Sequence, residues 1–170
     1  AEIFQLHNGW PCIVDYYTLP NSSTQELGQR VLTDYPNAVN VPLCIDHTGH
    51  ARNHATGHSD FYILEQLGFK KIKSTPTKSV RDKFNHLNVM LKDAAGGVRL
   101  RIARQCVARK WREFPSLVEC LENAQYNAKH TDFDDPLYGH TPDGVAYALM
   151  NEYPIRRPTT PIATARVMGY

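Results

Sequence analysis

The sequence predicts an α/β fold, a mixed sheet with helices packed on it, and three observations carry that prediction. Two alternating apolar runs meet at Asn8-Gly9, short strand-like runs recur later in the chain, and segments with helical apolar spacing separate them. Taken in order, Ile3-Phe4-Gln5-Leu6-His7 and the run from Trp10 to Leu19 read as a hairpin, because Asn and Gly both tolerate the positive φ of a two-residue turn. Asn21-Ser-Ser-Thr24 before Gln25-Glu26-Leu27 reads as a helix start, with Leu27, Val31 and Leu32 on one face and Pro36 beyond its end. A strand is expected over 39–45, a helix over 59–66 with Gly68 as its stop, and a strand over 69–74. Ser79-Val-Arg-Asp82 opens a helix to about Leu91, striped by Val80, Phe84, Leu87 and Leu91. Gly96-Gly97 turns the chain into the alternating strand 98–102; helices are expected over 115–123 and from Thr141, as cap with Pro142 at the first position, to about Tyr153.

A chain of 170 residues, 42% of them hydrophobic, suits one domain with a sizeable core. No apolar run is long enough to span a bilayer, and no membrane partner is expected. The first residues read as the interior of a strand without a signal peptide, which predicts a fragment or a processed product. Cys12, Cys44, Cys106 and Cys120 form no Cys-x-x-Cys pair, so they read as core thiols in a reducing compartment. The tail 156–170, with Pro158 and Pro161 and no apolar period, reads as extended or disordered. A net charge of +2 argues little for nucleic acid; the distribution of basic residues argues more.

Chemistry collects in two places. In Asn40-Val-Pro-Leu-Cys-Ile-Asp46-His-Thr-Gly49, an apolar strand ends in a carboxylate and a loop, the position where open α/β sheets place functional groups. Asp143, in Gly139-His140-Thr-Pro-Asp143-Gly, is expected to open the last helix. Each has a structural reading too: Asp is common at turns and favoured near a helix N-terminus. Together they suggest a site for Mg²⁺ or Mn²⁺, since hard cations take a few carboxylates and leave positions for phosphate oxygens. A two-metal site of this kind hydrolyses phosphodiesters. Asp46 and Asp143 are the predicted metal ligands and catalytic residues; His140 is the predicted outer ligand or proton carrier. His47, His50, His54 and His58 lack the Cys partners of structural zinc sites. Basic residues cluster at Lys70, Lys71 and Lys73; at Lys78, Arg81 and Lys83; at Arg99, Arg101 and Arg104; and at Arg109, Lys110 and Arg112. Arg52, Lys78, Arg81 and Lys83 are the predicted DNA phosphate contacts.

Several of these segments, in order, resemble the nuclease half of tailed-phage terminase large subunits. They are Leu19-Pro-Asn21-Ser-Ser-Thr24; Val41-Pro-Leu-Cys-Ile-Asp46-His-Thr-Gly49-His-Ala-Arg52-Asn; Ser79-Val-Arg81-Asp82-Lys83-Phe84-Asn85; Leu117-Val-Glu119-Cys-Leu121-Glu122; and Gly139-His140-x-x-Asp143-Gly-x-x-Tyr147. The resemblance implies a ribonuclease-H-like domain over 1–155 with helices on both faces of the sheet. It implies cleavage of concatemeric double-stranded viral DNA during genome packaging in the host-cell cytoplasm. Implied partners are an ATPase domain in the same full-length chain, a small terminase subunit and the portal protein. The family's first catalytic Asp, on its first strand, has no counterpart here, and Asp15 on the second hairpin strand is a poor substitute. Where the family often has Asp and Ala around the last motif, this chain has Gly139 and Gly144. A recombinase- or resolvase-type nuclease of the same fold and a non-catalytic docking module of the packaging motor are the alternatives.

Overall fold

A computed structural model describes residues 1–19, 21–52, 57–75, 79–108, 114–129 and 132–154. Strands β1 (Glu2–His7) and β2 (Trp10–Tyr16) form the expected antiparallel hairpin, with a bulge between Ile3 and Phe4. Asn8 at φ 52° and Gly9 at φ 80° make its turn, both left-handed, the geometry that matches strand twist. Helix α1 (Thr24–Asp34) begins at a reciprocal cap: Glu26 N–H donates to Ser23 Oγ at 3.2 Å, and Ser23 N–H donates to the Glu26 carboxylate at 2.7 Å.

The 39–45 strand starts late. A 3-10 turn occupies Pro36–Asn40, Pro42 has no N–H to give a ladder, and β3 runs Leu43–Asp46. Helix α2 (Asp60–Gln66), capped by Ser59, leads to β4 (Ile72–Thr75), which pairs with β3 in parallel and sets Asp46 opposite Thr75. Gly28 of α1 lets that helix lie on this unit, since a Cβ there would come within 2.5 Å of Leu67 Cδ1. Helix α3 (Val80–Leu91), capped by Ser79, matches its prediction. The strand expected over 98–102 shrinks to β5 (Arg101–Ile102), parallel to β2, because the amides of Arg99 and Leu100 both donate to Met90 O instead. A short helix α4 (Arg104–Ala108) was not predicted; α5 (Leu117–Asn123) repeats the capping box with Ser116 and Glu119.

The last helix corrects the sequence reading. α6 runs Pro136–Glu152 with Asp135 as its cap, so Pro142 and Asp143 lie inside it rather than at its start. Asp135-Pro136 offers the same cap-then-proline signal as Thr141-Pro142, and the earlier one is used. Pro142 removes one helical hydrogen bond but is fully buried, so packing offsets the loss.

The described residues thus form a mixed α/β structure with two small sheets, β1-β2-β5 and β3-β4, where one sheet was expected. The core gathers Ile13 and Tyr16 of β2, Leu87 and Met90 of α3, Leu100, Cys106, Leu117, and Val145 and Leu149 of α6. Helix α6 also packs on α5, β3 and β4, so it ties both sheets together. Its far end is held to the second sheet by Lys73, whose ammonium lies 2.6 Å from Glu152 Oε1. Cys44 donates its thiol to the same oxygen at 3.8 Å, and burial, with the Glu152 charge, pushes that thiol up to about 11. All four cysteines are free; Cys106 and Cys120 are buried, as expected of core thiols, whereas Cys12 and Cys44 are half-buried. No helix among the described residues is long and apolar enough to cross a membrane.

One glycine tests the packing of α6. A Cβ on Gly139 would fall within 2.8 Å of the Phe133 side chain at three atoms, and Phe133 in turn packs on Phe84 of α3 at 5.1 Å between ring centroids. Gly139→Ala is expected to lower stability by about 1–3 kcal/mol, the usual range for overpacking, measured as a shift in the urea midpoint. Combining it with Phe133→Ala should recover part of that loss relative to Phe133→Ala alone.

Candidate active site

Parallel strand β3 carries Asp46 at its C-terminal end, where the chain turns into the 3-10 segment His47–His50. Asp46 acts as that turn's cap, its Oδ1 accepting from Thr48 N–H at 3.1 Å. The turn reading is therefore realised, and it leaves the carboxylate further capacity. Tyr147, on α6, lies close to Asp46. Burial, then the charges of Asp46 and Asp143, raise the phenol well above its ordinary value. The two acids, far apart in sequence, thus act on one buried tyrosine. Tyr147 belongs to the quoted motif, but its side-chain chemistry gave it no predicted role; its i, i+4 spacing from Asp143 was the available signal.

Asp143 faces α3. Its Oδ1 lies 2.5 Å from Lys83 Nζ, and that ammonium also sits 4.5 Å from the centre of the Tyr147 ring. Lys83 is 5% exposed. Asp143 Oδ1 is buried, and the Lys83 ammonium is its close partner.

A third acid reaches the same place. Glu2 opens β1, and its carboxylate fills the space a side chain at Gly144 would take, 2.8 Å from that Cβ position. Burial raises its pKa; the Ala1 ammonium, 3.9 Å from Oε1, opposes that rise, and the Asp143 charge adds to it least. Gly144 therefore has a geometric role: it admits Glu2 beside Asp143. The sequence reading missed Glu2 because it stands at the first position of a strand with no motif around it.

The remaining predicted residues are placed apart. His140 is exposed on α6, one turn before Asp143. Arg52 is exposed in a bridge to Ser59, and Arg81 is exposed at the start of α3, its carbonyl accepting from the Tyr126 hydroxyl at 3.5 Å. Lys83, predicted as a phosphate contact, is instead turned inward onto Asp143 because α3 packs its face on α6. Lys78, His54 and the basic run 109–112 lie outside the described residues. Beside Asp46, His50 stacks on Phe61 at 3.8 Å and His58 on Tyr62 at 4.5 Å. His50 Nε2 also lies 3.2 Å from Ser74 Oγ.

The donor set suits a hard cation in kind: carboxylate oxygens, one of them buried. Asp46 and Asp143 are the residues that would hold it, with Glu2 adjacent. In the present arrangement no group of three His, Cys, Asp or Glu among the described residues is set to hold a metal, and the ammonium of Lys83 supplies the positive charge. No protein-family profile matches the chain, and no significantly similar curated protein or solved structure was found.

Breaking the buried pair from one side should be costly. Asp143→Asn strands an ammonium in the core and is expected to destabilise by about 3 kcal/mol, the low end for a buried pair because Asp143 keeps 23% of its side-chain exposure. Lys83→Met with Asp143→Asn should recover most of that, giving a double-mutant coupling above about 1 kcal/mol by urea denaturation. An additive pair of effects would mean the contact carries no net energy.

Proposed function

We propose that this chain is a metal-dependent DNA endonuclease domain of ribonuclease-H-like architecture, the nuclease part of a terminase large subunit. The observation that carries the reading is the convergence of Asp46, at the C-terminal end of a parallel strand, and Asp143, on a helix crossing both sheets, on Tyr147. Supporting it are the hairpin β1-β2, the parallel unit β3-α2-β4, and the ordered motifs shared with terminase nucleases. In a ribonuclease-H-like sheet the two small sheets would be parts of one layer.

When bound, Mg²⁺ or Mn²⁺ would supply an activated water and offset charge on the leaving oxygen. The protein's own part is to hold two carboxylates at a fixed separation, with Tyr147 beside Asp46 and Gly144 admitting Glu2. His140, exposed one turn from Asp143, is the group able to exchange protons with solvent there. Arg52 and Arg81 would grip phosphates on the rim. The substrate is concatemeric double-stranded viral DNA, and the partners are the ATPase domain, the small subunit and the portal.

Conversion of supercoiled plasmid to nicked and linear forms tests this. Cutting is expected with Mn²⁺ or Mg²⁺, absent in EDTA, and lost in Asp46→Asn, which removes no buried ion pair. A folded Asp46→Asn protein that cuts normally would remove that residue from the site. DNA-binding titrations over a salt series give a second check. Neutralising Arg52 or Arg81 should each reduce the log–log salt slope by about 0.9, the value for one phosphate contact, while Lys83→Met leaves it unchanged.

A further inference from the structure

We propose that Lys83 is a positioning residue that holds Asp143 in the cation-free site and must leave before a divalent ion can bind, so that metal affinity is set by competition with its ammonium. This rests on the metal reading above and deepens it.

Three observations converge on Lys83. Its side chain is almost wholly buried, an expensive place for an ammonium that could have reached solvent from the same helix. Its Nζ lies 2.5 Å from Oδ1 of Asp143, a buried carboxylate oxygen of the kind a hard cation takes. Its second contact is the face of Tyr147, which lies close to Asp46. The ammonium therefore touches both halves of the acid constellation. It offsets the charge of Asp143, while the Ala1 ammonium, 3.9 Å from Glu2 Oε1, lies against Glu2.

The same placement makes Lys83 an obstacle. A second positive centre at Asp143 Oδ1 would stand beside Nζ in a poorly solvated site, where like charges repel strongly. Occupancy by a cation and by Lys83 is mutually exclusive. The four-carbon stem can swing the head outward without unwinding α3, which leaves Asp143 free to bind.

Isothermal titration of Mn²⁺ into metal-free protein is the test, with wild type, Lys83→Met and Lys83→Arg compared. Lys83→Met should bind at least on the order of tenfold tighter, the effect of removing one nearby like charge. Lys83→Arg, which keeps the charge, should stay close to wild type. Equal or weaker binding by a folded Lys83→Met would overturn the competition while leaving the metal reading intact. Failure of every folded variant to bind Mn²⁺ would overturn both. A measurement on wild type does not depend on any variant folding. Acetylation of Lys83 by an N-hydroxysuccinimide ester, followed by mass spectrometry, should be slow in EDTA and faster with saturating Mn²⁺. Unchanged protection at saturating metal would overturn the proposal.

Discussion

A buried ammonium needs a compensating charge, and the Lys83–Asp143 pair is the constraint around which α3 and α6 are set. Asp143 can meet Lys83 only if α6 presents its 143–147 face to α3, and that orientation sends Val145 and Leu149 into the shared core. Once α6 is fixed there, its other contacts follow: Tyr147 reaches Asp46 on β3, and Glu152 at the far end takes Lys73 of β4. Gly144 leaves room for Glu2 of β1. One helix thus links two sheets that share no strand pairing, using charged or polar contacts at three levels along its length.

Much of the fold was legible because local chemistry and final structure agree. Asn8-Gly9 specifies its turn whatever surrounds it, and Ser23/Glu26 and Ser116/Glu119 satisfy helix ends from within four residues. The misreadings came from non-local competition. Arg99 and Leu100 alternate like a strand, yet Met90 O captures both amides and only two residues reach β2. Thr141-Pro142 has every local mark of a helix start, but Asp135-Pro136 wins because Phe133 and Gly139 allow the helix to begin a turn and a half earlier against α3. A single sequence does not rank two equally good caps; packing does.

The acids followed the same pattern. Asp46 could be read from the sequence because a strand-end carboxylate is a local pattern, and Asp143 because it stands in a Gly-flanked motif. Glu2 and Tyr147 matter only through where β1 and α6 are carried, which no spacing encodes. Lys83 is the instructive case. In an exposed helix its neighbours Arg81 and Asp82 would make it one more surface charge, and a DNA contact is the natural inference. The stripe through Phe84 and Leu87 turns its side of α3 partly inward, and the stem carries the ammonium to Asp143 rather than to water.

Stability alone is a weak account of that choice. Well-packed apolar residues commonly hold two helices as firmly as a buried ion pair does, without the desolvation penalty of either charge. Glu2 lies beside the pair, with the Ala1 ammonium 3.9 Å from its Oε1. A fold selected for rigidity would thin out these acids; this one admits a third by keeping Gly144 bare. Glu2 has its own positive neighbour in that ammonium, so Lys83 answers chiefly to Asp143. Holding Asp143 by charge rather than by apolar packing keeps a carboxylate at this place in the fold, at the desolvation cost of both groups.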